Sequence, residues 1–214
     1  HTPTPTPNGF VPPDADAATC ELAIARSLGR LSDCTRKCNQ SQASAAPESG
    51  PIDDTCEAGP PTSCRGLFDT ASTAVASCPA CLDVAAQSDV ADLVMDFVAQ
   101  TNGAVYCRGT VPFGGNDTGF LPPARVASCE NAVAAALRKY ASCLVRCDVK
   151  QARALARGGS FDGNACKFTD PESCRAVYDT RTANVRLAGG CPACLGASKQ
   201  AAAANGVTAF FAQV

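Results

Sequence analysis

Large side chains are scarce in this sequence. It contains no Trp, one Met and 6% aromatic residues, so little bulky apolar surface is available to fill a core. Much of the apolar fraction is alanine, which favours helix strongly but buries little area. We therefore expect helical structure that depends on something other than a large hydrophobic core.

Histidine is almost absent as well, because the single His is residue 1, at the tip of an extension rich in proline. A Ser-His-Asp or Cys-His site cannot be assembled without an oriented imidazole. The carboxylate pair Asp53-Asp54 lacks the aromatic platforms of a sugar cleft, and a solvated acidic turn is the favoured interpretation. We predict no catalytic residues and no cofactor, so the protein is not expected to be an enzyme.

Long apolar runs and clusters of basic residues are also missing. No stretch approaches the roughly 20 apolar residues that a membrane-spanning helix needs. The net charge is -2, and the 18 basic residues are scattered along the chain. We expect neither a membrane span nor a nucleic-acid partner.

Cysteine, in contrast, is abundant, at 15 of 214 residues. One disulfide stabilises a small domain by roughly 2 to 4 kcal/mol, and so many cysteines are typical of oxidising compartments. The chain starts at His1 without an apolar signal segment, which fits an exported product whose signal peptide was removed; a trimmed chain is the alternative. We predict a secreted protein, extracellular or at the cell surface.

The cysteines form two ladders that repeat in order along the chain. Their steps are 14, 4, 18, 8, 14 and 3 residues in the first ladder, and 14, 4, 19, 8, 17 and 3 in the second. The ladders are Cys20, Cys34, Cys38, Cys56, Cys64, Cys78, Cys81 and Cys129, Cys143, Cys147, Cys166, Cys174, Cys191, Cys194. We predict two tandem modules, residues 14–110 and 124–214, with an extended arm (residues 1–13) and a Gly/Pro linker (residues 111–123).

One cysteine, Cys107, follows the first ladder without a counterpart in the second. Residues 97–100 match residues 210–213 at an offset of 113, and on that offset the counterpart of Cys107 falls at position 220, beyond the last residue. The module is therefore expected to hold eight cysteines, of which the second copy lacks the last. Either the chain is cut short there, or one cysteine of the second module pairs with another molecule.

Apolar periodicity predicts the same helices in both modules. The first helix covers residues 21–37 and its copy covers residues 130–150. The second helix begins near Ser63, and in the copy after Asp170, which is expected to be its N-cap; it continues to the CxxC motif. Residues 90–98 predict a third helix. The expected fold is mainly α, with an antiparallel helix hairpin and a third helix in each module and little or no β-structure.

Antiparallel helices suggest a set of disulfides, since the end of the first helix then lies beside the start of the second. This arrangement favours Cys34 with Cys64 and Cys38 with Cys56. Cys20 is expected to take one cysteine of the CxxC motif and to leave the other for Cys107. Eight cysteines allow 105 connectivities, so the pairing is a hypothesis.

Other motifs offer weaker chemistry. The two CxxC motifs could be redox-active or bind metal, but their place in a repeated framework of cysteines favours structural disulfides, and we predict no metal site. Residues 162–164 and 116–118 offer oxygen ligands without the EF-hand pattern, so turns are favoured over calcium sites. Asn39-Gln40-Ser41 and Asn116-Asp117-Thr118 are glycosylation sequons, which suggests that both are exposed.

The arrangement of eight cysteines on a helical bundle is similar to that of the plant lipid-transfer and seed-inhibitor proteins. The adjacent Cys-Cys and Cys-x-Cys steps of that family are absent from this sequence. The resemblance is therefore limited to the general strategy of cross-linking helices with disulfides.

A repeated lead-in suggests how copies could assemble. Phe10, Val11, Pro12 and Pro13 precede the first module as Phe120, Leu121, Pro122 and Pro123 precede the second. If the second lead-in docks on the preceding module, the first has no partner within its own chain, and the second module has an unfilled docking surface. Complementary free ends propagate into a filament unless they close into a ring.

We therefore predict a secreted structural subunit that assembles head to tail with copies of itself into an extracellular filament or surface layer. The alternative is a monomeric extracellular binding module, either a carrier of a small apolar ligand or an adhesin or inhibitor that acts through its loops.

Overall fold

The computed structural model describes residues 15–45, 54–75 and 78–213 of the chain. Within these residues the protein is mainly α-helical with one small antiparallel sheet, which confirms the predicted fold class. The elements are α1 (Ala15–Ala45), α2 (Cys64–Thr73), α3 (Val84–Asn102), β1 (Pro112–Gly114), β2 (Asp117–Phe120), α4 (Ala124–Ala156), α5 (Cys174–Leu187) and α6 (Ala197–Phe211). Below, residues 15–102 are the first half, residues 103–123 the connector, and residues 124–213 the second half.

The two longest helices, α1 and α4, extend beyond the boundaries that periodicity predicts. Before α4, Pro123 is extended, with φ -63° and ψ 147°, and the helix starts at the next residue. At its C-terminal end, α1 continues to Ala45, because Ala43 is fully buried in a core that includes residues of the second half. Tertiary packing therefore sets the length of this helix, as it often does when propensity alone is marginal.

Serine caps both second helices. The hydroxyls of Ser63 and Ser173 accept hydrogen bonds from the backbone N–H groups of Gly66 and Ala176, at 3.1 and 3.2 Å. The predicted N-cap Asp170 is therefore wrong: this residue ends a π-helical turn over Ala165–Thr169. The two capping serines are equivalent, since each directly precedes a cysteine of the repeat.

The second helices also end earlier than predicted. α2 stops at Thr73 and α5 at Leu187, before the CxxC motifs. After α5 the backbone of Gly189 and Gly190 has φ of 83° and 81°, a left-handed conformation that glycine adopts without strain and that cannot continue a helix. Each CxxC motif instead forms a short turn of its own.

The two long helices pack side by side in antiparallel directions. The hydroxyl of Ser142 donates to the carboxylate of Asp33 at 3.2 Å, and the amide nitrogen of Asn131 donates to the hydroxyl of Ser44 at 3.0 Å. Residue numbers therefore increase along α1 in the direction in which they decrease along α4. Asp33 and Ser142 are equivalent residues, 109 apart like Cys20 and Cys129, so the helices cross at the same point of each.

A second contact joins equivalent residues of the third helices. The rings of Phe97 on α3 and Phe210 on α6 stack with centroids 4.0 Å apart and an angle of 4° between their planes. The guanidinium of Arg36, which is itself buried, lies 5.7 Å from the Phe97 ring. Like parts of the two halves thus face each other, as across the two-fold axis of a symmetric dimer.

The connector is part of the core instead of a loose linker. β1 and β2 form a hairpin whose Phe113 is buried, and Leu121 directly after it is 1% exposed. Both belong to one hydrophobic cluster with Val105, Tyr106 and the α4 side chains around Val133. Within the described ranges no helix is long and apolar enough to cross a membrane.

We predict that Phe97 and Phe210 stabilise the fold jointly. In urea unfolding of the single Ala variants and of the double variant, the coupling free energy should be about 0.5–1.5 kcal/mol, because a stacked aromatic pair adds to the area that each ring buries. Leu187, which is 85% exposed, supplies the control: Leu187→Ala should be additive with Phe97→Ala. Additive effects of the two Phe variants would contradict the proposed joint contribution.

Candidate functional site

Seven disulfides hold the described chain together. Three join the first half and three join the second half at equivalent positions: Cys20–Cys78, Cys34–Cys64, Cys38–Cys56 and Cys129–Cys191, Cys143–Cys174, Cys147–Cys166. The predicted pairs Cys34–Cys64 and Cys38–Cys56 are confirmed, and so is the pairing of Cys20 with a cysteine of the CxxC motif.

The seventh disulfide differs from the prediction. Cys107 pairs with Cys194, in the CxxC motif of the second half, and Cys81 is left as an exposed free thiol. The expected pairing of Cys107 with a cysteine of its own module is therefore wrong, as is the inclusion of Cys81 among the disulfide cysteines. The unpaired cysteine also lies in the first half, where the repeat placed it in the second.

The residues around Cys107 are held firmly against α4. The N–H of Arg108 donates to the carboxylate of Glu130 at 3.0 Å, and Cys107 Sγ lies 3.7 Å from the same oxygen. The hydroxyl of Tyr106 donates to the side-chain oxygen of Asn131 at 2.9 Å. Backbone and side-chain contacts therefore position this segment in addition to the disulfide.

Glu130 is the most unusual charged group at this contact, because the residue is completely buried. Burial raises the pKa of its carboxyl to about 7, although the hydrogen bond from Arg108 acts in the opposite direction. Our sequence reasoning assigned Glu130 no role. The sequence contains one signal for this residue: a Glu follows the first cysteine of each ladder, in Cys20-Glu21 and in Cys129-Glu130. The spacing of the cysteines alone does not require that repetition.

The two CxxC motifs have the same sequence but different surroundings. In the second half Leu195 is fully buried in the cluster that contains Tyr106, and Cys194 is half-buried. In the first half the equivalent Leu82 is half-buried and Cys81 is exposed. The covering segment around Cys107 accompanies this difference, so the first half presents the uncovered version of the same site.

The strand that precedes the second lead-in contacts the first half. Thr118 in β2 donates its hydroxyl to the carbonyl of Ala99 at 2.8 Å, and its own carbonyl accepts from the side chain of Asn102 at 3.0 Å. Of the predicted contact residues, Leu121 and Pro122 are buried and Pro123 is half-buried, whereas Phe120 is 39% exposed. The first lead-in, Phe10 to Pro13, lies outside the described residues.

Within the part of the chain that the structure describes, two groups of side chains have the close spacing of metal ligands: Cys143, Cys147 and Cys174, and Cys107 with Glu130 and Cys194. All five of these cysteines are in disulfides, and a disulfide sulfur is not the thiolate that binds zinc or iron. In the oxidised chain these groups therefore act as cross-links.

A carrier of an apolar ligand, the alternative function that the sequence suggests, needs a cavity that can enclose the ligand. The cavity lined by Arg36, Tyr106 and Leu137 between the halves has a volume of about 10 Å³, which suits one water molecule. A second hollow of about 410 Å³ is open and is lined by charged residues that include Arg146 and Lys150. Neither resembles the enclosed apolar pocket that an apolar small molecule occupies.

Fold and cysteines together define the class: this is a mainly α-helical, disulfide-rich protein. A scan against protein-family models finds no match, and searches of curated proteins and of solved structures return no match either. The function must therefore be argued from the molecule's own contacts.

The free thiol leads to a direct prediction. Unreduced, denatured monomer should react with one equivalent of a thiol reagent, and the label should be on Cys81. Peptide mapping without reduction should recover Cys107 linked to Cys194. A Cys81–Cys107 peptide would contradict the arrangement described here.

Glu130 should make stability depend on pH. Its folded pKa of about 7 lies above the usual value of 4.5, so its favourable contribution is complete below pH 4.5 and is lost as the pH rises through 7. Glu130→Gln should remove this part of the loss, on the order of 2–3 kcal/mol between low and high pH. Urea unfolding of both proteins across this range measures the effect, and parallel pH profiles would refute it.

Proposed function

We propose that this chain is a secreted structural subunit that assembles head to tail into an extracellular filament or surface layer and is linked covalently through Cys81. The observation that carries the proposal is the exposed thiol of Cys81, at a position whose counterpart Cys194 is bridged to a cysteine from outside its own half. In the second half this position accepts a neighbouring segment. In the first half the same position is available for one.

Joining at Cys81 is directional. Cys107 follows α3 of the first half and is bonded to the CxxC motif of the second half, so one unit donates a cysteine and the next accepts it. In the proposed assembly Cys81 accepts in the same way from a further segment of the Cys107 kind. Fourteen cysteines of this chain are already paired, so that donor is another cysteine-bearing segment or subunit.

The chemistry of the link balances as an ordinary oxidation. Two thiols lose their protons and two electrons and become one disulfide, while a disulfide-type oxidant of the secretory compartment accepts them and becomes two thiols. The exposure of Cys81 gives such an oxidant access. The other cysteines need no rearrangement.

The surfaces through which the two halves contact each other are not the surfaces through which the proposed filament grows. α1 packs on α4 and Phe97 stacks on Phe210, so the two halves already occupy these surfaces with each other. A contact between like faces closes after two units, whereas growth needs two unlike surfaces. The proposed unlike surfaces are the lead-in around Phe10 of one copy and the end of α6 of the next, with Cys81 as the lock.

We predict that chain isolated unreduced from its native source contains covalent species larger than 21.8 kDa, in which Cys81 is bonded to a cysteine of another polypeptide and which reductant converts to monomer. Cys81→Ser should abolish these covalent species, since every other cysteine is satisfied within the chain. Denaturing gels without reductant and size-exclusion chromatography measure both effects. Ser77→Ala, a change close to the motif that removes no thiol, is the control and should leave the pattern unchanged.

Peptide mapping then tests the direction of assembly. A link between Cys81 and a cysteine of a different segment supports head-to-tail joining. A Cys81–Cys81 link would overturn it, because such a symmetric contact ends at the dimer. A stable 21.8 kDa monomer with a persistent free thiol would also overturn it and would favour the monomeric binding module.

A further inference from the structure

Two equivalent disulfides bring together the residues that follow their cysteines. In the second half Cys147–Cys166 is followed by Asp148 and Lys167, and the carboxylate of Asp148 forms an ion pair with the ammonium group of Lys167. In the first half the same places, after Cys38 and Cys56, hold Asn39 and Glu57. The first half therefore has a carboxylate where the second half has a cation.

Two further carboxylates approach Glu57. The backbone N–H of Glu57 donates to the carbonyl of Asp54 at 2.9 Å, so both lie in one turn. Asp117 reaches the group from the hairpin and accepts a hydrogen bond from the side-chain nitrogen of Asn39 at 3.1 Å. The hairpin approaches closely because Gly115 has no Cβ, which would collide with the Asp54 carboxylate.

This arrangement differs from two sequence-based expectations. Asp54 was expected in a solvated acidic turn, but its carboxylate accepts a hydrogen bond from the side chain of Gln42 at 3.1 Å and lies against the hairpin. The sequon at Asn39 was expected to be exposed, but Asn39 is 1% exposed. Asn116, in the other sequon, is exposed as expected.

The group contains buried oxygen atoms without partners. Asn39 Oδ1 and Glu57 Oε1 are both inaccessible to solvent and accept no hydrogen bond, and Glu57 as a residue is 5% exposed. Leaving such atoms unsatisfied in the interior destabilises the folded chain. Because the Asn39 nitrogen bonds to Asp117, the unpaired oxygen of the same amide is close to the Asp117 carboxylate.

Negative charge in this group has no compensation from the protein. Among the described residues, no basic side chain forms an ion pair with Asp54, Glu57 or Asp117. A buried cluster of like charges is stable only with a proton or a cation in its midst.

We propose that these residues bind one calcium ion, with the carboxylates of Asp54, Glu57 and Asp117 and the amide oxygen of Asn39 as ligands. Carboxylate and amide oxygens on three separate segments suit the large, flexible coordination shell of Ca²⁺, whereas Mg²⁺ requires a compact octahedron. Neither histidine nor a free thiol is present in the group to favour zinc. The ion occupies, in the first half, the role of the Lys167 ammonium in the second.

Calcium binding draws the segments together. The three carboxylates do not all lie within 4.8 Å of one another, as the ligands of one ion would, so the ion has to overcome their repulsion and bring them inward. The ligands come from α1, from the turn at Asp54–Cys56 with its next residue, and from β2. The ion therefore ties the connector to the first half at a point that no disulfide crosses.

The test uses the full chain, freed of metal with a chelator and dialysed against radioactive calcium at about pH 8. We expect about one ion per chain with a dissociation constant in the range of about 10⁻⁴–10⁻³ M that is typical of extracellular modules. Magnesium should compete at least about tenfold more weakly. Melting temperature should rise with calcium, because the ion binds the folded chain alone.

Two variants separate this site from scattered surface carboxylates. Glu57→Gln should weaken calcium binding at least about tenfold, whereas Glu172→Gln, an exposed position in the second half, should leave it unchanged. Failure of the unaltered chain to bind calcium, or equal binding by both variants, would overturn the proposal. Both variants should fold, since each removes a charge without removing volume.

A charge exchange provides the second measurement. The double variant Asn39→Asp with Glu57→Lys installs the pair that Asp148 and Lys167 form in the second half. It should melt in chelator at or above the temperature of the chelated parent, and calcium should no longer raise that temperature. A calcium response equal to that of the parent would contradict the assigned ligands.

Discussion

The disulfide between Cys107 and Cys194 connects a segment that follows α3 with the turn between α5 and α6 of the second half. Tyr106, Arg108 and the buried Glu130 reinforce the same contact through hydrogen bonds. Because the connector passes through this contact, its hairpin packs between the two halves and contributes Phe113 and Leu121 to their common core. A chain with few large side chains thus enlarges the core of the second half with side chains of the connector and with Ala43 of α1.

The contacts between the halves are of two physically different kinds. Helix α1 on α4 and Phe97 on Phe210 join equivalent surfaces and therefore close on themselves. The connector and Cys107 join unlike surfaces, and contacts of this kind can be repeated by a further unit. The exposed thiol of Cys81 belongs to the second kind, which is why it supports an assembly that extends beyond one chain.

The two halves share a disulfide framework but differ in the charges of the residues beside it. The residues after Cys147 and Cys166 have opposite charges and neutralise each other, whereas those after Cys38 and Cys56 are an amide and a carboxylate. In the first half further carboxyl groups approach from the turn and from the hairpin, so acidic side chains gather there without a basic partner among the described residues. A bound cation restores the balance that a lysine side chain provides in the other half.

The sequence by itself determined the mainly helical fold, the cysteine repeat and the pairs Cys34–Cys64 and Cys38–Cys56. These features depend on short-range rules: the apolar period of helices, and cysteines that face each other across a hairpin of helices. Only the tertiary structure decided the partner of Cys107, because Cys81 and Cys194 have the same neighbours in sequence and differ only in which segment reaches them. It likewise decided the surroundings of Asn39 and Glu57, since Asp117 approaches them from 60 or more positions away along the chain.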